Sequence, residues 1–111
     1  MKVSELKCDQ LDYWVGRAEL EEFKGRRLDA EVIAAVKAKL GADLPFWPSR
    51  DWRIGGRIIE RERISIIERG DHWFADARGA SEVGSSPLEA AMRAYVASKF
   101  GDEVGDGEVS A

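Results

Sequence analysis

The chain is 111 residues long, 44% hydrophobic and 34% charged, with a formal net charge of −4. That length suits a single core burying roughly 65% of the unfolded surface, and the apolar share excludes wholesale disorder. The acidic balance disfavours a dedicated nucleic-acid binder while leaving room for a local basic patch, and the single cysteine, Cys8, excludes an internal disulfide.

Residues 9–20 predict a first helix, with Asp9 placed to accept from the free amides of the first turn and Leu11, Trp14, Val15 and Ala18 on one stripe; Gly25 is its expected stop. A second helix is expected after Asp29, where Val32, Ile33, Val36 and Leu40 recur at helical spacing, Lys37 and Lys39 complement the dipole and Gly41 follows. Residues 44–56 hold two prolines and two glycines and predict a structured loop, with Ser49 or Asp51 capping a short helical turn.

Residues 57–63 alternate Glu and Arg, which fits a strand or an exposed helix face. The helix reading is preferred through Glu62, and puts Trp52, Gly55, Gly56 and Ile59 on one face. Two interior glycines cost about 1 kcal/mol each against alanine, so a kink or break is expected near Gly55. A hairpin follows, with strands at 64–67 and 72–77 and the turn at 68–71. Both of its faces are partly apolar, which predicts helices on both. A third strand is expected from elsewhere, from residues 2–4 or from a second copy, because an isolated hairpin is marginal.

Ser86-Pro87-Leu88-Glu89 is a capping box with proline at the first helical position: Ser86 accepts from the Glu89 amide and the Glu89 carboxylate reaches back to Ser86. Leu88, Met92, Tyr95, Val96 and Phe100 then form an apolar stripe, the alanines between them permit close packing, and Gly101 ends the helix. The order is α-α-short α-β-β-α: one α+β domain over residues 1–101, a small antiparallel sheet sandwiched by helices, with 102–111 as an acidic flexible tail.

Lys2-Val3-Ser4-Glu5-Leu6, Leu11-Asp12-Tyr13-Trp14-Val15, Asp51-Trp52, Gly55-Gly56, Ile58-Ile59-Glu60-Arg61-Glu62, and Pro87-Leu88 leading into Ala90-Ala91-Met92-Arg93-Ala94-Tyr95-Val96 together resemble the NinX-like family of small tailed-phage and prophage proteins. The resemblance implies a phage or bacterial origin and helices around a small sheet. It carries no activity, since the family's function is unknown, although relatives often lie among early genes of phage replication and recombination. The chain departs from the family pattern at Trp47 and Arg50, where Ser and Thr are more usual, and at Arg57, where proline is.

No apolar run approaches the ~20 residues of a membrane span and the first residues lack the apolar core of a signal peptide, so a cytoplasmic location without a membrane partner is expected. Cys8 and His72 read as structural and inert respectively, since neither has an identifiable catalytic companion, and the Glu60 and Glu62 pair reads as solvated surface. Gly55-Gly56 lacks the spacing of a phosphate loop. No catalytic residue, metal ligand or cofactor is therefore assigned.

The segment around Trp47, Arg50, Trp52, Arg53 and Arg57 is the exception, because it concentrates the residue types enriched in binding hot spots. Its alternative role is that both tryptophans roof the core. The function expected is a non-enzymatic macromolecule-binding accessory protein, engaging a protein partner or itself. The alternatives are a nucleic-acid-associated factor, which the net charge disfavours, and a small enzyme whose site assembles only in three dimensions.

Overall fold

The computed structural model of the chain describes residues 1–19, 34 and 47–104. In order, the described elements are a 3-10 turn (Val3–Glu5), helix α1 (Cys8–Glu19), helix α2 (Trp52–Glu62), strands β1 (Ser65–Glu68), β2 (Trp73–Ala77) and β3 (Ala80–Gly84), and helix α3 (Pro87–Phe100). The expected stop of the first helix at Gly25 and the helix expected after Asp29 lie outside the described residues, apart from Ala34, which is helical and exposed.

Helix α3 starts as its sequence dictates, with the Ser86 hydroxyl accepting the Glu89 N–H at 3.1 Å and Pro87 in the first turn, and it ends at Gly101 with φ +87°. The reciprocal half of the capping box is displaced by one residue. The Glu89 carboxylate takes the Ser85 N–H at 2.8 Å and the Ser85 hydroxyl at 3.1 Å, not the Ser86 amide. Leu88 and every residue from 90 to 97 are buried. A helix buried on all sides must be central.

On one side α3 carries the sheet, and the approach is close: a Cβ on Gly84 would lie 2.5 Å from the Ala90 amide nitrogen. On the other it meets α1, where Trp14 packs edge-on to Phe100 at 5.4 Å, and α2, where Gly55 abuts Leu88. The α+β class and the single core stand, with the layering refined: the sandwiched element is α3, between the sheet and the helices α1 and α2. Val3, Leu6, Leu11, Val15, Ile58, Met92, Tyr95 and Val96 are almost fully buried in this cluster. Each large apolar side chain so placed contributes roughly 1.5–3 kcal/mol.

Helix α2 runs unbroken through Gly55-Gly56, where a kink was expected. The Asp51 carboxylate caps it from the Arg53 N–H at 2.9 Å, and Arg63 in the left-handed region (φ +56°) stops it. A Cβ on Gly55 would collide with the Pro48 carbonyl oxygen and reach 2.6 Å from Leu88 Cδ2. Close packing against that turn and against α3 offsets the helical cost of the glycine.

The sheet is antiparallel in the order β1-β2-β3. Its third strand is Ala80–Gly84, not residues 2–4 or a second copy. A two-residue turn, Arg78-Gly79, with both φ angles positive (+52° and +92°), joins it to β2 and matches the twist of the strands. Ala75, Ala77 and Ile66 face α3, whereas Ile67, Phe74 and Val83 line up across the three strands on the opposite face. Ile67 and Val83 are exposed there, so among the described residues the expectation of helices on both faces is met on one.

The start of the expected tail is pinned rather than free. Val3 N–H bonds the Asp102 carbonyl at 2.8 Å, Met1 and Val104 exchange two hydrogen bonds at 3.0 and 2.9 Å, and Val104 is buried. Residues 105–111 lie outside those described.

Candidate functional site

Trp47 and Trp52 do not roof the core: they are 47% and 55% exposed. Their positions follow from a turn held down by α1. Both the Arg50 and Asp51 N–H groups bond the Trp47 carbonyl, at 2.9 and 2.8 Å, closing the turn. Beneath it, the buried Asp12 carboxylate accepts the Ser49 N–H at 2.9 Å and Arg50 Nη2 at 3.1 Å, and Asp9 accepts the same Nη2 at 3.0 Å. So tethered, the Arg50 guanidinium sits 5.0 Å from the centroid of the Trp47 ring, within cation–π range.

Burial pushes the Asp12 carboxyl up, against the pull of the Ser49 amide and Arg50. The hydrogen bond to Asp12 holds the Arg50 guanidinium firmly charged. Asp9 is therefore an anchor for Arg50 rather than the cap of α1. Spacing alone could have signalled this pair, since residues three apart share a helix face.

Trp52 opens α2, and a Cβ on Gly56 would lie 3.7 Å from its Cε3 atom, so the indole rests close over a residue with no side chain. A cleft of about 270 Å³ adjoins it, lined by Ser49, Arg50, Trp52, Ser86, Pro87 and Leu88. Arg53 folds back on Asp51 through two contacts at 3.1 Å, and that bond holds the Asp51 carboxyl below its ordinary range. Arg57 is exposed one helical turn further on. The structure thus joins Trp47, Arg50 and Trp52 into one surface, with Arg53 and Arg57 beside it on α2. Arg50 and Arg53 are matched by carboxylates.

A second polar cluster, which the sequence did not single out, lies between α1, α2 and α3. Glu19 is buried and receives Arg61 through both terminal nitrogens, at 2.9 and 2.5 Å, together with a short hydrogen bond from the Tyr95 hydroxyl. Arg61 also bonds Glu62, which Arg78 and Lys99 approach at 3.3 and 4.0 Å. Glu62 is thus buried, correcting its reading as solvated surface, while Glu60 is exposed. Burial works to raise the Glu62 carboxyl, but Arg61, Lys99 and Arg78 together hold it below its ordinary value. This arrangement ties three helices together through a shared network of charged hydrogen bonds.

Cys8 is exposed, with φ +49°, rather than buried as a small apolar side chain. His72 is bonded to Asp71 at 2.6 Å on an exposed turn. Among the described residues no three His, Cys, Asp or Glu side chains converge to hold a metal ion, and no described helix is long and apolar enough to cross a membrane.

Residues 2–99 match the family model described as Bacteriophage P22, NinX, and the chain belongs to that family. No curated protein matches it.

Proposed function

We propose that this member of the phage NinX family is a non-enzymatic accessory protein of the host-cell cytoplasm, which binds a protein partner through Trp47, Arg50, Trp52, Arg53 and Arg57. The observation that carries the reading is the exposure of two tryptophans, 47% and 55%, one on a turn that Asp12 clamps to α1 and one at the start of the helix that follows it. Exposed aromatics on a rigid support lose little conformational entropy on docking, and interface hot spots are enriched in Trp and Arg. The adjoining cleft beside Ser86 and Pro87 offers a place for one partner side chain.

A protein is favoured over a nucleic acid because Arg50 and Arg53 are occupied by Asp9, Asp12 and Asp51. A phosphate backbone would have to displace those carboxylates, in a chain of net charge −4.

The test is affinity capture from phage-infected cells, with and without nuclease, using the natural chain and a Trp47→Ala/Trp52→Ala double variant. The expected result is a discrete protein that survives nuclease and is lost with the double variant, while the two chains unfold at the same denaturant midpoint. Equal capture by both chains would overturn the reading. Capture abolished by nuclease or by moderate salt would replace the protein partner with nucleic acid.

A further inference from the structure

The outer face of the sheet is a second exposed apolar surface, on elements that carry none of the tryptophan site. Ile67, Phe74 and Val83 are direct cross-strand neighbours in one row, and Ile67 and Val83 are 42% and 44% exposed. A solvated antiparallel face ordinarily alternates to polar residues, so an in-register apolar row marks a surface that is covered at some stage.

The row is flanked asymmetrically. Two residues along the strands on one side lie Ser65, Asp76 and Ser81, paired in register. On the other side the ladder continues as Arg69 N–H bonds the His72 carbonyl at 3.0 Å, and the Arg69 guanidinium leans over Phe74 at 5.3 Å from the ring centroid. His72 at that end is paired with Asp71, and among the described residues Arg69 is the cation that leans over the row. Asp76 accepts from Gly79 N–H and the Ser81 hydroxyl, and a carboxylate with about four acceptor positions retains room for a further donor.

We infer that two copies of the chain pack these faces together about a two-fold axis that runs along the Ile67–Phe74–Val83 row. Rotation about that axis sets each row against itself and exchanges the two flanks, so that Arg69 of each copy meets Asp76 of the other. A two-fold axis along the strands would set Asp76 against Asp76 instead. Charge complementarity therefore selects a second copy and one of the two aligned ways of stacking it, with the sheets about 10 Å apart. Three short strands bury less than the ~800 Å² per partner of a standard interface, which makes this a weak dimer with Kd in the micromolar range or above.

Sedimentation equilibrium tests it on the full chain. The natural protein should rise towards twice its monomer mass as concentration approaches about 1 mM, the range an interface of this size requires. Arg69→Asp alone and Asp76→Arg alone should each weaken association about tenfold or more, and an equimolar mixture should restore it, because the mixed pair recovers two opposite-charge contacts. Should Asp76→Arg unfold, because Asp76 supports the Arg78-Gly79 turn, then Ile67→Lys and Arg69→Asp serve in its place. Each should then weaken association about tenfold or more while leaving the melting curve intact. A strict monomer, a dimer indifferent to these variants, or a mixture that fails to re-associate would each overturn the inference.

Discussion

Asp12 and Ser49, 37 residues apart in sequence, are joined by a buried hydrogen bond of 2.9 Å that fixes the tryptophan turn to α1. Asp12→Ala removes the acceptor for the Ser49 amide and one of the two carboxylates holding Arg50. An unsatisfied buried donor costs about 1–3 kcal/mol, and loss of that size is expected as a lower urea midpoint with unchanged slope. Tryptophan emission should shift in the folded state as Trp47 loses its fixed guanidinium neighbour. Asp12→Asn, which keeps one acceptor for Ser49, should recover part of the stability.

Gly55 and Gly56 are adjacent in α2 yet opposite in what they tolerate. A methyl on Gly55 would meet the Pro48 carbonyl oxygen and Leu88, so Gly55→Ala should destabilise by about 1–3 kcal/mol through overpacking. At Gly56 the nearest atom, Trp52 Cε3, would be in ordinary contact at 3.7 Å. Gly56→Ala should therefore gain up to about 1 kcal/mol of helix propensity. Paired denaturation curves check the sign reversal, and equal effects at the two positions would contradict the packing.

At the start of α3 the cap is shared between two serines. Ser86→Ala should cost about 1 kcal/mol. Glu89→Ala should cost a comparable amount because Ser85 N–H and hydroxyl both lose their acceptor. Combining the two should be less than additive if the serines and Glu89 act as one unit, a coupling that a double-mutant cycle measures directly.

Local signals were legible where the chemistry is local. The Ser86-Pro87 start of α3, the first helix and the β1-β2 hairpin all follow from capping, periodicity and alternation within a few residues. Strand β3 is not signalled by composition because Ala80-Ser81-Glu82-Val83-Gly84 has a single β-branched residue, and its pairing with β2 follows from the Arg78-Gly79 turn that reverses the chain. The unbroken α2 was missed because what offsets Gly55 is contact with Pro48 and with Leu88, 33 positions away, invisible to propensity. The same holds at the candidate site. Composition singled out its tryptophans and arginines, but exposure and the pairing of Arg50 with Asp9 and Asp12 depend on how α1 meets the turn.

The Glu19, Arg61 and Tyr95 cluster predicts how stability depends on pH. Burial, reinforced by the Glu19 charge and hydrogen bond, raises the Tyr95 phenol above its ordinary value near 10. Above that pH the unfolded chain releases a proton that the native chain retains, so the contribution of Tyr95 is fully present below about pH 10 and falls as pH rises further. Glu62 behaves oppositely: its carboxyl lies below its ordinary value of 4.5, so its contribution is present above that pH and is lost as pH falls beneath it. Tyr95→Phe keeps the ring in the core and leaves Glu19 held by both nitrogens of Arg61. It should cost roughly 1.5–3 kcal/mol at neutral pH, the range for hydrogen bonds to charged groups, since the hydroxyl donates to Glu19 and accepts from Arg61. That deficit should shrink between pH 9 and pH 11, because the natural chain weakens there and the phenylalanine variant has no phenol at this position to titrate. Urea midpoints of both chains at pH 7, 9 and 11 check it. A deficit that stays constant across that range would contradict the raised phenol, and with it the burial of the Tyr95 hydroxyl against Glu19.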